Sequence, residues 1–173
     1  MAALEAEPEN DSVRMTYVRL LDGVGRVEDA EQLLRDAIDV GRQSSTEGDG
    51  HGRVAKSLVD LGAFLVDHDR GSEATDLFAE AIGMLGRRAA PELLLRQAGA
   101  LTLDGRFDEA LALADQTSVD VHAMLIRGRV AFERQDYETA IEELNNVAIV
   151  WPDNAPSRYY LCLLYTSDAA DET

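Results

Sequence analysis

Lysine is almost missing from this chain. Lys56 stands alone, and arginine supplies the rest of the 16 basic side chains against 33 acids, for a formal charge of -17. Such a surface repels phosphate backbones and anionic headgroups, which argues against nonspecific binding to nucleic acid or to a membrane. The one cysteine, Cys162, falls in a terminal stretch set apart below, so it carries no information on redox compartment, metals or catalysis. Aromatic residues make up only 6% of the chain while apolar content reaches 46%, much of it Ala and Leu, a balance that favours helices over a β-sandwich. No apolar run approaches the roughly 18 residues of a membrane span. The opening residues, MAALEAEPENDS, lack the basic start and apolar core of a secretory signal, so a cytoplasmic location is the default expectation.

Signatures of catalysis are missing as well. His51, His68 and His122 are scattered, with no H-E-x-x-H pair to hold zinc. No G-x-S-x-G, P-loop lysine or G-x-G-x-x-G occurs. Adjacent acids such as Glu142 and Glu143 are expected by number alone on so acidic a chain and mean solvated helix faces. Neither an enzyme nor a cofactor or metal site is expected.

What is present is a pattern, clearest in Val121 to Asn154. Met124, Gly128 and Ala131 fall three and four apart, as do Tyr137, Ala140, Ile141, Leu144, Val147 and Ala148, which predicts two amphipathic helices. Arg134-Gln135-Asp136 makes the turn between them. Pro152, which has no N–H to donate, ends the second. Gly128 and Ala140 are small where the helices must approach. This unit resembles a tetratricopeptide repeat, a helical pair of about 34 residues. The resemblance implies an all-α fold, a right-handed α-solenoid of stacked helix-turn-helix repeats.

Weaker copies fill the rest. After an acidic leader, residues 1–10, the repeats are expected over about 11–41, 55–88, 91–118 and 121–154, with the opening of a fifth at 155–161. Ala30, Ala74, Ala110 and Ala140 occupy equivalent places in the second helices. The first two of these are 44 residues apart, so Arg42 to Arg53 reads as a Gly/Ser/Asp loop that stretches the spacing. His51 belongs to that loop, His68 to a turn and His122 to a solvent-facing helix start. Neither Glu47, Asp49 and His51 nor Asp67, Asp69 and Glu73 has the ligand spacing of a calcium loop.

From Cys162 to Glu172 the chain, CLLYTSDAADE, closely resembles the translation of a sequencing adapter. Residues 162–173 are therefore read as a non-native tail outside the fold, and the natural chain as cut near Leu161. Apolar surface around Tyr159, Tyr160 and Leu161 is then expected to lie open, with self-association or fraying through the truncated repeat.

Stacked pairs of this kind present a concave face for other chains. In the resemblance, the groove-facing places of each first helix are Ser12, Met15, Arg19 and Asp22; Lys56, Val59, Ala63 and Val66; Glu92, Leu95, Gly99 and Thr102; and His122, Leu125, Arg129 and Phe132. Met15, Val59, Leu95, Leu125 and Phe132 supply apolar contact, His122 lies among them, and Arg19, Lys56 and Arg129 stand as cations on an acidic chain. The expectation is a scaffold that takes a peptide or helix by apolar contact, its carboxylates turned toward those cations. The carboxylate-clamp variety of the family needs more basic and amide groups than these, so chaperone tails are not expected partners. A different class of reading makes the chain a regulatory or substrate-docking region of a larger enzyme, a transferase or kinase, whose catalytic part lies beyond Leu161.

Overall fold

The computed structural model describes residues 10–44 and 50–171. Most of the acidic leader, the middle of the first long loop with Glu47 and Asp49, and the last two residues lie outside them. The elements are α1 (Asp11–Gly23), α2 (Val27–Ser44), α3 (Gly50–Asp67), α4 (Gly71–Leu85), a 3-10 turn (Gly86–Arg88), α5 (Pro91–Leu103), α6 (Phe107–Gln116), α7 (Asp120–Glu133), α8 (Tyr137–Val150) and α9 (Ala155–Asp171). No strand occurs among the described residues. Each helix packs on the next, and the first helices of neighbouring pairs, α3, α5, α7 and α9, also touch in succession. The result is an all-α, right-handed α-solenoid.

Four turns repeat one geometry. Gly25, Asp69, Gly105 and Gln135 each take a left-handed backbone, with φ of 78°, 58°, 73° and 63°. The residue after each, Arg26, Arg70, Arg106 or Asp136, donates its N–H to the carbonyl five residues back at 2.9 Å. This closes the C-terminus of each first helix as a Schellman-type cap, and glycine supplies the conformation without strain in two of the four. Ala30, Ala74, Ala110 and Ala140 are all fully buried five residues past the left-handed residue. The small residues of the first helices are as necessary. A Cβ on Gly62 would meet the Phe78 ring at 2.7 Å, and one on Gly128 would meet Leu144 at 2.8 Å.

The core divides along the stack. One cluster runs from Val18 through Leu34, Leu58 and Phe78 to Leu93, a second joins Leu101, Ala114 and Ile126, and a third joins Leu125, Leu144, Leu161 and Leu164. Each is built from more than one pair, so a pair stripped of its neighbours would expose its apolar face. Ion pairs form at the starts of the second helices and between neighbouring units. Arg26, Arg70 and Arg106, each just ahead of a second helix, reach the acid three residues on. Arg70 also crosses to Glu31 of the first unit at 2.5 Å, while Arg42 meets Glu80 and Arg134 meets Asp108, both at 2.6 Å.

These pairs give the fold an acid-sensitive component. The hydrogen bond from Arg70, aided by Arg35, holds the Glu31 carboxyl below the usual carboxylate range against the opposing effect of burial. Arg70 lowers Glu73 in the same way. A carboxyl with a depressed folded pKa stabilises the fold above its unfolded pKa, and that contribution is lost as pH falls through the folded value. Glu31→Gln is therefore expected to lower the urea midpoint at neutral pH, with the gap from the parent closing as pH falls below about 4. A gap that persisted in acid would show that the Arg70 pairing is not its source.

Three sequence expectations need correction. The loop from Arg42 to Arg53 is shorter than its composition implies: α2 runs on to Ser44 and α3 begins at Gly50, so the second unit starts before Ala55 and His51 lies on a helix. The fold also does not stop at Leu161. Helix α9 continues to Asp171, because Leu164 falls one turn after Leu161 and both are buried, at 3% and 9% exposure. The surface expected to lie open there is partly closed, since Tyr160 packs on Phe132 with ring centroids 4.9 Å apart, although Tyr159 remains exposed.

Candidate binding groove

The C-terminal end of α3, the middles of α5 and α7 and the turn leading into α9 line an open cavity of about 440 Å³. Ala63, Val66, Leu95 and Leu125 give it apolar walls, and Phe78 also lines it from α4. The turn contributes Trp151, Asp153, Asn154, Ala155 and Pro156. That turn is rigidly held: Asn154 Oδ1 accepts from the Ser157 N–H at 2.8 Å, and the Ser157 hydroxyl donates back to the Asn154 carbonyl at 3.0 Å. Both residues are buried, so the paired bonds satisfy groups that water cannot reach. A second hollow of about 310 Å³ continues toward the N-terminal end, between Lys56 and Val59 of α3, Glu92, Leu93 and Arg96 of α5, and Leu85 and Arg88. Arg96 lines both hollows and joins them.

Charge is distributed unevenly within this surface. Most basic residues elsewhere are already engaged with carboxylates, as described for Arg26, Arg70, Arg106 and Arg134. Arg88, Arg96 and Arg129 have no ion-pair or hydrogen-bond partner among the described residues. Arg129 is held most firmly. Its guanidinium fills the space that the missing side chain of Gly99 leaves, where a Cβ would stand 2.8 Å from Nη1, and lies 5.6 Å from the Tyr160 ring centroid. Its Nε is buried with no acceptor. Asp67 and Asp153 also line the cavity and are exposed, as Arg96 is, whereas the buried Nε–H of Arg129 gains from an acceptor brought to it.

The groove residues expected from the sequence divide accordingly. Leu95, Leu125 and Arg129 come together in the larger cavity, and Lys56 and Val59 line the adjoining hollow. Lys56 is not a free cation, because its ammonium lies 2.8 Å from Asp60 and 3.2 Å from Asp11; those bonds raise its pKa in spite of its partial burial, the largest single influence, which works to lower it. Met15 packs on the first core cluster and Arg19 is exposed on α1; neither lines these hollows. His122 is buried rather than solvent-facing, its ring 6.0 Å from Trp151, and its Nδ1 has no partner. Phe132 is covered by Tyr160 and Tyr137 and forms part of the third core cluster.

Arg96 and Trp151 were not legible from the groove-facing places. Arg96 stands one residue past the expected place of Leu95, and Trp151 follows the second helix of its unit. Its being the only tryptophan, next to the helix-ending Pro152, is the signal that marks the turn. No group of three or more His, Cys, Asp or Glu suited to a metal occurs among the described residues, and no described helix is long and apolar enough to cross a membrane.

No protein-family model matches the chain, and no curated protein matches it. Among solved structures it is similar to a Podosopora anserina protein described as a kinesin light chain with nearly identical TPR-like repeats, at 15% identity and a TM-score of 0.68, covering 96% of this chain and 90% of that one. The agreement in shape over nearly the whole length, at so low an identity, establishes a TPR-like repeat solenoid as the fold of this chain.

Proposed function

We propose that the chain is a protein-interaction scaffold whose concave groove takes a short peptide or helix from another protein. One observation carries this reading: on a chain with 33 acids and 16 bases, Arg96 and Arg129, which have no ion-pair or hydrogen-bond partner among the described residues, line an apolar hollow between the first helices of successive units. A cavity of about 440 Å³ admits one large apolar side chain as an anchor. The two guanidinium groups beside it would orient the ligand by accepting a carboxylate, in the geometry that arginine offers to such groups. The cation pair that matters in this reading is Arg96 with Arg129, in place of Arg19 and Lys56.

Selection from a random peptide library on the immobilised full-length chain tests the proposal. The expected result is enrichment of peptides that pair an apolar or aromatic residue with nearby Asp or Glu, bound with a change in Trp151 emission. Enrichment of basic peptides through Asp67 and Asp153, or no enrichment at all, would reject it.

A further inference from the structure

We propose that the groove continues past Arg129 onto an aromatic subsite on α9; this rests on the groove being the binding surface. The ligand is then an acidic segment of another protein whose carboxylate lies between two apolar groups, the anchor in the larger cavity and an aromatic ring on α9. An open hollow of about 360 Å³ lies there, lined by Arg129, Ala155, Pro156, Tyr159 and Tyr160. Arg129, Ala155 and Pro156 also line the larger cavity, so the two hollows meet at the guanidinium. The repeat register puts this hollow in series with the others. Val59, Leu95 and Leu125 each stand four residues past the start of their unit, at Ala55, Pro91 and Val121, and Tyr159 stands four past Ala155. Val59 lines the N-terminal hollow, Leu95 and Leu125 the larger cavity, and Tyr159 the one on α9.

Charge and rigidity both suit that ligand. Arg129 is the one charged residue among the described residues that line the α9 hollow, whereas Asp67 and Asp153 share the larger cavity and Glu92 the N-terminal hollow. A carboxylate beside Arg129 therefore meets a cation with no competing acid on this side, and a basic ligand meets only repulsion. The guanidinium is held in place, since it lies in the gap at Gly99 on one side and near the Tyr160 ring on the other. Tyr159 is 60% exposed, yet its ring is braced: it stands edge-on to Tyr160 with centroids 5.4 Å apart, and Tyr160 packs in turn on Phe132. A ring braced in this way loses little freedom when a second ring packs against it, and Pro156 extends the apolar surface beside it.

The test uses the full chain and one library-selected acidic peptide, labelled with fluorescein and followed by anisotropy. The peptide is expected to carry its anchor on one side of the acid and an aromatic residue on the other. Tyr159→Ala should weaken binding about tenfold and Tyr159→Phe should bind as the parent does, because the ring and not the hydroxyl makes the contact. Replacing the peptide's aromatic residue by alanine should cost as much in the parent and little more in Tyr159→Ala, the coupling expected of two groups that touch. Ile149→Ala, exposed on α8 and lining none of the three hollows, should leave affinity unchanged. Parent-like affinity in Tyr159→Ala, with binding still weakened by Arg129→Gln, would overturn the subsite and leave the groove reading intact. Binding unaffected by Arg129→Gln would remove the groove reading and the subsite with it. A parent that sediments as a dimer and becomes monomeric in Tyr159→Ala would put a second copy on this hollow and overturn the proposal as well.

Discussion

Gly71→Ala is expected to uncouple the second helical pair from the third. The first residue of α4 is pressed against the end of α5, where an added Cβ would stand 2.8 Å from the Ala100 carbonyl oxygen, 3.2 Å from the Asp104 nitrogen and 3.2 Å from Leu103 Cβ. Two of those three neighbours are backbone, which cannot swing aside as a side chain can, so relief requires α4 and α5 to part. Overpacking of this kind costs about 1–3 kcal/mol and occasionally more. In a stack held by nearest-neighbour contacts the loss falls on one junction, so urea unfolding should broaden or split as the two halves lose their coupling. Gly83→Ala is the control. Nothing lies within 4 Å of its Cβ position, and it sits inside α4, so alanine there should stabilise by about 0.5–1 kcal/mol. Equal effects of the two substitutions would mean that the close approach at Gly71 is not what joins the units.

Phe78→Ala should have the largest effect on stability. Phe78 is 1% exposed, fills the space beside Gly62 between α3 and α4, and also lines the groove cavity. Truncating a buried phenylalanine costs about 3–5 kcal/mol, a large part of the roughly 5–15 kcal/mol that holds a domain together. Because the void opens toward the groove, the same substitution should weaken peptide binding beyond what the loss of folded protein explains. Ile149→Ala, at a site 76% exposed, is expected to change stability by no more than about 0.5 kcal/mol. A Phe78→Ala variant as stable as Ile149→Ala would contradict the packing described for the second unit.

The architecture was legible because repetition places the same physical demand in each unit. The four equivalent alanines sit where two helices come closest, and each is fully buried. The turn at Gln135 was legible from the break in helical spacing, although Gln135 and Asp69 hold the left-handed conformation without the glycine that Gly25 and Gly105 supply at the equivalent places. That Leu95, Leu125 and Arg129 line one hollow was legible, because they follow helical spacing on α5 and α7. What escaped depends on contacts between units or with the turns. Phe132 occupies a groove-facing place, but Tyr160 of the next helix covers it, and His122 is enclosed with Trp151 close by. The pairing of Lys56 was missed, although Asp60 four residues on is within reach on the same helix face. The extent of α9 was missed because a segment set aside as foreign still carries Leu164 at the right spacing to be buried.

The central claim is that Arg96 and Arg129 make the concave face selective for carboxylates beside an apolar anchor. It is tested most directly by titrating one library-selected acidic peptide into the full chain and into Arg96→Glu/Arg129→Glu, following Trp151 emission, with helical content checked by circular dichroism. The account predicts at least about a hundredfold loss of affinity in the folded double variant, on the order of 3 kcal/mol for two charge-assisted contacts. It also predicts that binding to the parent weakens with added salt. Affinity unchanged by the double reversal, in a variant as helical as the parent, would contradict it.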